Sequence, residues 1–202
     1  MHFEILVEDQ SGKKALDILI PRIIGDNHTF NVHSYKGVGR IPKNLGAKGD
    51  ASKRILLDRL PKLLRGYGAT FVNYPQEYPA AVILVCDLDN KCLKIFRQEL
   101  FNILNTCDPK PETRFCIAIE EGEAWFLGDI PAIKAAYPKA KDAVLNAYTN
   151  DSICGTWECL AEGTEKSQWA KKISLHLDIL VCLSPSFAYF RGKLLELTEV
   201  MT

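Results

Sequence analysis

Short runs of consecutive apolar residues alternate with longer segments of helical periodicity over most of the chain. Continuous apolar runs indicate strands buried on both faces, and their alternation with helices predicts an α/β fold with a mostly parallel sheet. The predicted elements, in order, are strand 3–8, helix 12–24, strand 29–34, a Gly-rich loop 36–50, helix 51–65, strand 69–73, strand 81–87, helix 91–105 and strand 114–119.

The last third of the chain shows helical spacing only. Helices are predicted over 127–137, 139–148 and 166–180, and a last helix begins with Ser184 as N-cap and Pro185 in its first turn. We therefore predict an α/β domain over residues 1–129 and a helical C-terminal extension over 130–202 that packs on it.

Composition narrows the class of protein. The 202 residues are 47% hydrophobic, which is enough for a sizeable core, and 25 basic and 25 acidic residues give zero net charge, which argues against indiscriminate polyanion binding. The chain has no apolar run of about 18 residues, and its seven cysteines form no CxxC pair. The acidic, strand-like start MHFEILVED is not predicted to be a signal peptide. We expect a cytoplasmic protein with reduced thiols and no membrane partner.

Acidic residues stand where three predicted strands end. Glu8 closes the first strand, Asp87 and Asp89 close AVILVCDLD, and Glu120 and Glu123 follow RFCIAI. Ligands bind outside the carboxyl ends of parallel strands, so these side chains are predicted to converge. Two carboxylates about 4 Å apart repel by roughly 4 kcal/mol at an effective dielectric of 20, so such a cluster needs a cation or a proton. Oxygen ligands favour Mg²⁺ or Mn²⁺.

Each motif has a structural alternative. Glu8 could position a water or act as general acid/base, or it could cap the following helix. Asp87 and Asp89 could grip one cation, whereas the alternative is that Asp89 and Asn90 cap the helix from Lys91. The sequence alone leaves these alternatives open.

The stretch EEGEAWFLGD offers two further carboxylates. Glu120 and Glu123 would share a helix face and complete or flank a metal site, while Asp129 is predicted to cap the next helix. Trp125 is predicted to anchor this stretch in the core, and its alternative role is to stack on a base.

Positive charge is concentrated between residues 35 and 66. Nine basic residues stand there against two acidic ones, a local net charge of +7. The Gly-rich loop fits neither GxGxxG nor GxxxxGK[ST], so nucleotide binding through those motifs is not predicted. We predict that four residues of this loop contact substrate phosphates, the alternative being a solvated face: Lys36, Arg40, Lys43 and Lys48.

The pattern of a glutamate after the first strand and a DxD after a later one resembles the TOPRIM fold of topoisomerases, primases and several nucleases. Glu8, Asp87 and Asp89 match it, although Asp9 and Gln10 follow Glu8 where TOPRIM proteins often have a small residue. The runs EAWFLGD, AIKAAYP, TWECLAE, SQWAKKISLHLDI and SPSF resemble, over nearly the whole chain, a bacterial TOPRIM-like family of unknown function.

The resemblance implies a TOPRIM-like, Rossmann-like sheet and a place beside a partner ATPase in a defence or mobile-element system. Together with the acidic and basic residues, the resemblance favours Mg²⁺- or Mn²⁺-dependent phosphodiester chemistry on nucleic acid, with DNA favoured over RNA. A homo-oligomer is compatible with the resemblance. The alternative is a catalytically silent regulatory subunit of an ATPase complex. The expected catalytic residues are Glu8, Asp87, Asp89 and Glu123, and the expected metal ligands are Asp87, Asp89, Glu8, Glu120 and Glu123.

Overall fold

A four-stranded, all-parallel sheet forms the centre of the protein, in the order β2-β1-β3-β4. The computed structural model describes residues 1–42, 54–119, 121–151 and 166–199. The strands are β1 His2–Val7, β2 Thr29–Ser34, β3 Ala80–Asp87 and β4 Thr113–Ala118. All eight residues of the central strand β3 are buried, as expected for a strand covered on both faces. The predicted α/β class with a mostly parallel sheet is confirmed.

Helices cover both faces of this sheet. In the described parts of the chain they are α1 Gln10–Ile24, α2 Leu56–Phe71, α3 Leu93–Asn105, α4 Ala124–Leu127, α5 Ile130–Ala136, α6 Asp142–Leu145, α7 Lys166–His176 and α8 Pro185–Glu199. No helix within those described ranges combines the length and the apolarity needed to cross a membrane.

The two faces of the sheet belong to two hydrophobic clusters, because successive strand residues point to opposite sides. Phe3, Ile5 and Val7 pack with α1, α7 and α8, whereas Leu6 packs with α2 and α3. The first cluster unites residues on both sides of the proposed boundary at residue 129, so the C-terminal helices lie directly on the sheet. The division into two domains stays a prediction.

The predicted strand at 69–73 is wrong, because helix α2 continues to Phe71. Glycines in this stretch interrupt the helical pattern of the sequence, but Gly68 has a packing role. A Cβ at Gly68 would collide with the carbonyl oxygen of Pro109, so the glycine allows the helix to pass the loop before β4.

The C-terminal helices are shorter than their periodicity predicts. Helix α7 ends at His176 rather than 180, and the amide of Asp178 donates to Oδ2 of Asp129 at 2.7 Å instead of extending the helix. Asp129 also caps α5, as predicted, by accepting from Ala132 N at 3.1 Å. Ser184 caps α8, also as predicted, by accepting from the amide of Phe187 at 3.2 Å.

Candidate active site

Three of the predicted acidic residues meet at the carboxyl edge of the sheet. Strands β1 and β3 are neighbours in register, with Val7 opposite Val85, so Glu8 and Asp87 leave the sheet side by side. The amide of Asp87 donates to Oε2 of Glu8 at 3.3 Å. The segment after β4 brings Glu123 to the same place.

These side chains line a cavity of about 40 Å³. Its polar lining consists of Glu8, Asp9, Ser11, Asp87, Glu123 and Lys166. Ligand pockets for small molecules measure roughly 300–1,000 Å³, whereas a single water needs about 10–15 Å³. The cavity therefore has room for a few waters or one small ion, and a nucleotide does not fit inside it.

The turn between β1 and α1 directs Glu8 towards this cavity. Asp9 is the N-cap of α1, since its Oδ1 accepts from the amide of Gly12 at 2.7 Å, so the capping alternative for Glu8 is wrong. A Cβ at Gly12 would lie 2.6 Å from Cγ2 of Val7. The glycine thus lets the start of α1 approach the end of β1 closely.

The two aspartates of the DLD motif lie in different surroundings. Asp87 is the last residue of β3 and is 9% exposed. Asp89 lies beyond the strand with a left-handed backbone, φ 49°, and its carboxylate pairs with Lys91 Nζ at 2.9 Å outside the cavity. The motif does not cap α3, because that helix begins at Leu93 with Cys92 as its N-cap.

Glu123 and Lys166 form an ion pair at the cavity wall. Glu123 is 5% exposed, and its Oε1 lies 3.1 Å from Lys166 Nζ and accepts from Ser11 Oγ at 3.4 Å. The sequence predicted neither Ser11 nor Lys166. Lys166 is the first residue of α7, and no spacing motif connects it with the acidic residues. Glu120 lies outside the described residues.

Trp125, whose role the sequence left between core and base stacking, lies in the core. It is 4% exposed, its indole stacks on Phe190 with centroids 4.9 Å apart, and its Nε1 donates to Ser186 Oγ at 3.0 Å. The packing prediction is confirmed.

The described part of the basic loop begins beside the acidic residues. The amide of Gly37 donates to the carbonyl oxygen of Glu8 at 2.8 Å, which places the loop at the same edge of the sheet. Lys36 and Arg40 are exposed there, and the amide of Arg40 donates to Oδ1 of Asp58 at 3.3 Å. Lys43 and Lys48 lie outside the described residues.

The carboxylates of the cavity are short of positive charge. Burial raises the pKa of Glu8, although the hydrogen bond from the amide of Asp87 opposes this shift. Burial, followed by the negative charges of Glu8 and Glu123, raises the pKa of Asp87 well above its ordinary value. Burial also raises the pKa of Glu123, although Lys166 opposes this shift. Burial lowers the pKa of Lys166, but the charge of Glu123 and its hydrogen bond outweigh it, so this pKa is raised and the ammonium form is favoured.

The donor set suits a hard divalent cation. Glu8, Asp87 and Glu123 offer carboxylate oxygens, which Mg²⁺ and Mn²⁺ prefer, while burial raises the pKa of the adjacent Cys86 thiol and keeps it protonated. Within the described ranges, no three His, Cys, Asp or Glu side chains stand as a ready-made metal-binding group. The carboxylates fit the ion by their chemistry, and they would have to turn towards it.

The fold and the site define a class: an α/β protein with a parallel sheet and a buried acidic cavity at its carboxyl edge. Comparison with protein-family models, with curated proteins and with solved structures gave no match. The resemblance to TOPRIM proteins therefore stays a prediction.

Proposed function

We propose that the protein catalyses divalent-metal-dependent phosphodiester cleavage of nucleic acid, as a nuclease. One observation carries the proposal: three carboxylates with raised pKa values, the buried Asp87 and Glu123 and the half-buried Glu8, share one small cavity with a single lysine among its described lining residues. Perturbed carboxylates in a cleft are typical of functional sites. Mg²⁺ or Mn²⁺ would supply the missing positive charge.

Asp87 and Glu8 would hold the ion, with Glu123 completing or flanking the site. Asp89 at the rim and Glu120 complete the proposed ligand set. When bound, such an ion polarises a phosphoryl oxygen and lowers the pKa of a coordinated water. Burial raises the pKa of Glu8, which favours its alternative role as the general acid/base, with Asp87 then holding the ion.

The size of the cavity indicates how substrate would approach. A volume of about 40 Å³ excludes a whole nucleotide, so a nucleic-acid backbone would lie across the opening. Lys36 and Arg40, exposed on the loop that touches Glu8, would hold neighbouring phosphates there, together with Lys43 and Lys48. We propose DNA as the preferred nucleic acid. The proposal also includes membership of the TOPRIM-like family, a cytoplasmic location, a role in a defence or mobile-element system, and formation of a homo-oligomer.

The direct test is cleavage of single- and double-stranded DNA and RNA in the presence of Mg²⁺ or Mn²⁺. Asp87→Asn is expected to reduce the rate by about 10²-fold or more, on the scale of lost electrostatic catalysis. Asp17→Asn is the matched control, since Asp17 pairs with Lys13 on the surface of α1. Full activity of the Asp87→Asn protein would contradict the proposed site.

Phosphate binding by the loop has its own measurement. Affinity for nucleic acid should fall linearly with salt on logarithmic axes, by roughly 0.7 to 0.9 per phosphate neutralised. Replacing Lys36 and Arg40 together by alanine should make this slope shallower by about two units. An unchanged slope together with an unchanged affinity would favour the solvated-face alternative.

A second candidate function is a catalytically silent regulatory subunit of a partner ATPase. The Lys166–Glu123 ion pair favours it, because it neutralises one carboxylate without a metal. Thermal melting with and without about 5 mM Mg²⁺ separates the two candidates. A binding site predicts stabilisation by RT ln(1 + [L]/Kd), and an unchanged melting temperature would favour the silent subunit.

A further inference from the structure

Helix α7 is anchored to α1 at both of its ends. Near its start, Lys14 Nζ donates to Ser167 Oγ at 2.9 Å. Near its end, the guanidinium of Arg22 donates to the carbonyl oxygens of Ser174 at 2.9 Å and Leu177 at 2.6 Å. Because Arg22 satisfies two carbonyl groups that the helix leaves open, the position of α7 along α1 is well defined.

The apolar side of α7 holds it against the core. Trp169, Ala170 and Ile173 are buried in the cluster under the sheet, and the ring of Trp169 stacks on Tyr137 with centroids 4.1 Å apart. Moving the helix would expose these side chains to water. Lys166, at its first position, is therefore presented to the cavity by a rigid element.

Within the cavity, the ammonium group lies against one carboxylate in particular. Lys166 Nζ is 3.1 Å from Oε1 of Glu123, and the same oxygen accepts from Ser11. Lys166 is the single cation among the described residues that line the cavity, which also has Glu8 and Asp87 in its wall. A divalent ion bound by Glu123 would lie close to the ammonium group of Lys166, which pairs with the same carboxylate. The two positive charges would repel each other.

We propose that the ammonium group of Lys166 serves as a permanent cation of this site. Its ion pair with Glu123 keeps this carboxylate from binding a metal ion, so that Glu8 and Asp87 hold a single divalent ion. The inference rests on the proposed function and deepens it. Sites with two metal ions place them about 3.5–4 Å apart to stabilise both the attacking and the leaving oxygen. Here the ammonium group would supply the positive charge that a second ion supplies in such sites.

Counting bound Mn²⁺ by electron paramagnetic resonance tests this directly, without any substrate. The wild type should bind one ion per chain, and Lys166→Gln should bind two because Glu123 is released. Lys166→Arg is the matched control that keeps the positive charge, and it should bind one. Asp87→Asn should remove the ion, whereas Glu123→Gln should still bind one even if Lys166→Gln fails to fold.

The possible outcomes separate the inference from the function on which it rests. Two ions in the wild type, an unchanged count in folded Lys166→Gln, or loss of the ion in Glu123→Gln would overturn the role of Lys166 and leave the metal site intact. No Mn²⁺ bound by the wild type would overturn both. One ion in the wild type and two in Lys166→Gln would support the single-ion site.

Discussion

The cavity has more acidic than basic side chains in its wall, which predicts that Asp87→Asn stabilises the metal-free protein. Asp87 is 9% exposed, and it lines the same cavity as Glu8. Asparagine has nearly the same shape and keeps the backbone amide that donates to Glu8 Oε2. At pH values above the raised pKa of Asp87, the substitution therefore removes one negative charge from the cluster with little change in packing.

The size of the effect follows from Coulomb's law. Two unit charges about 4 Å apart at an effective dielectric of 20 repel by about 4 kcal/mol. Partial protonation of the pair and the ammonium group of Lys166 offset part of this repulsion, and we take about 2 kcal/mol as the gain at pH 8. For a chain of 202 residues this corresponds to a rise in melting temperature of about 4–8 °C.

The pH dependence has a definite sign. The pKa values of Glu8 and Asp87 are raised in the folded protein, so the unfolded chain loses these protons at lower pH. The stability that the protonated carboxyls contribute is complete below their unfolded values, 4.5 and 3.8, and is lost as the pH rises through the folded values. The advantage of Asp87→Asn should widen from pH 4 to pH 8.

Thermal melting followed by circular dichroism, in a chelator and across this pH range, measures the effect. Adding Mg²⁺ should then stabilise the wild type and leave Asp87→Asn unchanged. Asp89→Asn is the matched control, because this residue is exposed and its expected change is within about 0.5 kcal/mol. An Asp87→Asn protein less stable than the wild type at pH 8 would refute the reasoning.

Two further substitutions test the surroundings of the site. Burial alone would raise the pKa of Glu4, but hydrogen bonds from His33 and His2 hold this pKa at about 2. Glu4→Gln should therefore lower the free energy of unfolding by about 1–2 kcal/mol at pH 7, after allowance for solvent screening. Urea titrations should show this loss of stability disappearing as the pH falls from 4.5 towards 2. Gly12→Ala should lower the free energy of unfolding by about 1–3 kcal/mol through overpacking, and it should weaken Mg²⁺ binding. Gly66→Ala is the control, because a Cβ at Gly66 has no neighbouring atom within 4 Å, and it should stabilise the protein in the same melting assay.

Strand β3 was predictable because it is a continuous apolar run that ends at Asp87. The prediction of 81–87 against the observed Ala80–Asp87 differs by one residue, and 29–34 agrees at both ends. The strand predicted at 69–73 was wrong because the helix continues through Gly66 and Gly68 to Phe71. The close approach of Gly68 to Pro109, which explains that glycine, depends on contacts distant in sequence.

The site was predictable only as far as strand topology determines it. Glu8 and Asp87 meet because parallel neighbouring strands end at one edge. The rule that residues two apart point the same way does not extend to Asp89, because the strand ends at Asp87 and the backbone then turns left-handed. Lys166 reaches the cavity through the packing of α7 on α1, which no local pattern of the sequence encodes.

The carboxylate of Glu4 and the pair Glu8 and Asp87 have opposite electrostatic character. Glu4 accepts hydrogen bonds from histidine, asparagine and tyrosine side chains, and its pKa is lowered, which is what a stabilising structural carboxylate requires. Glu8 and Asp87 face each other, and their pKa values are raised, so their charges oppose folding. Burying charge without a partner is costly, and neutral residues of similar size would avoid that cost. Packing alone therefore does not account for the cavity, whereas the proposed divalent cation would.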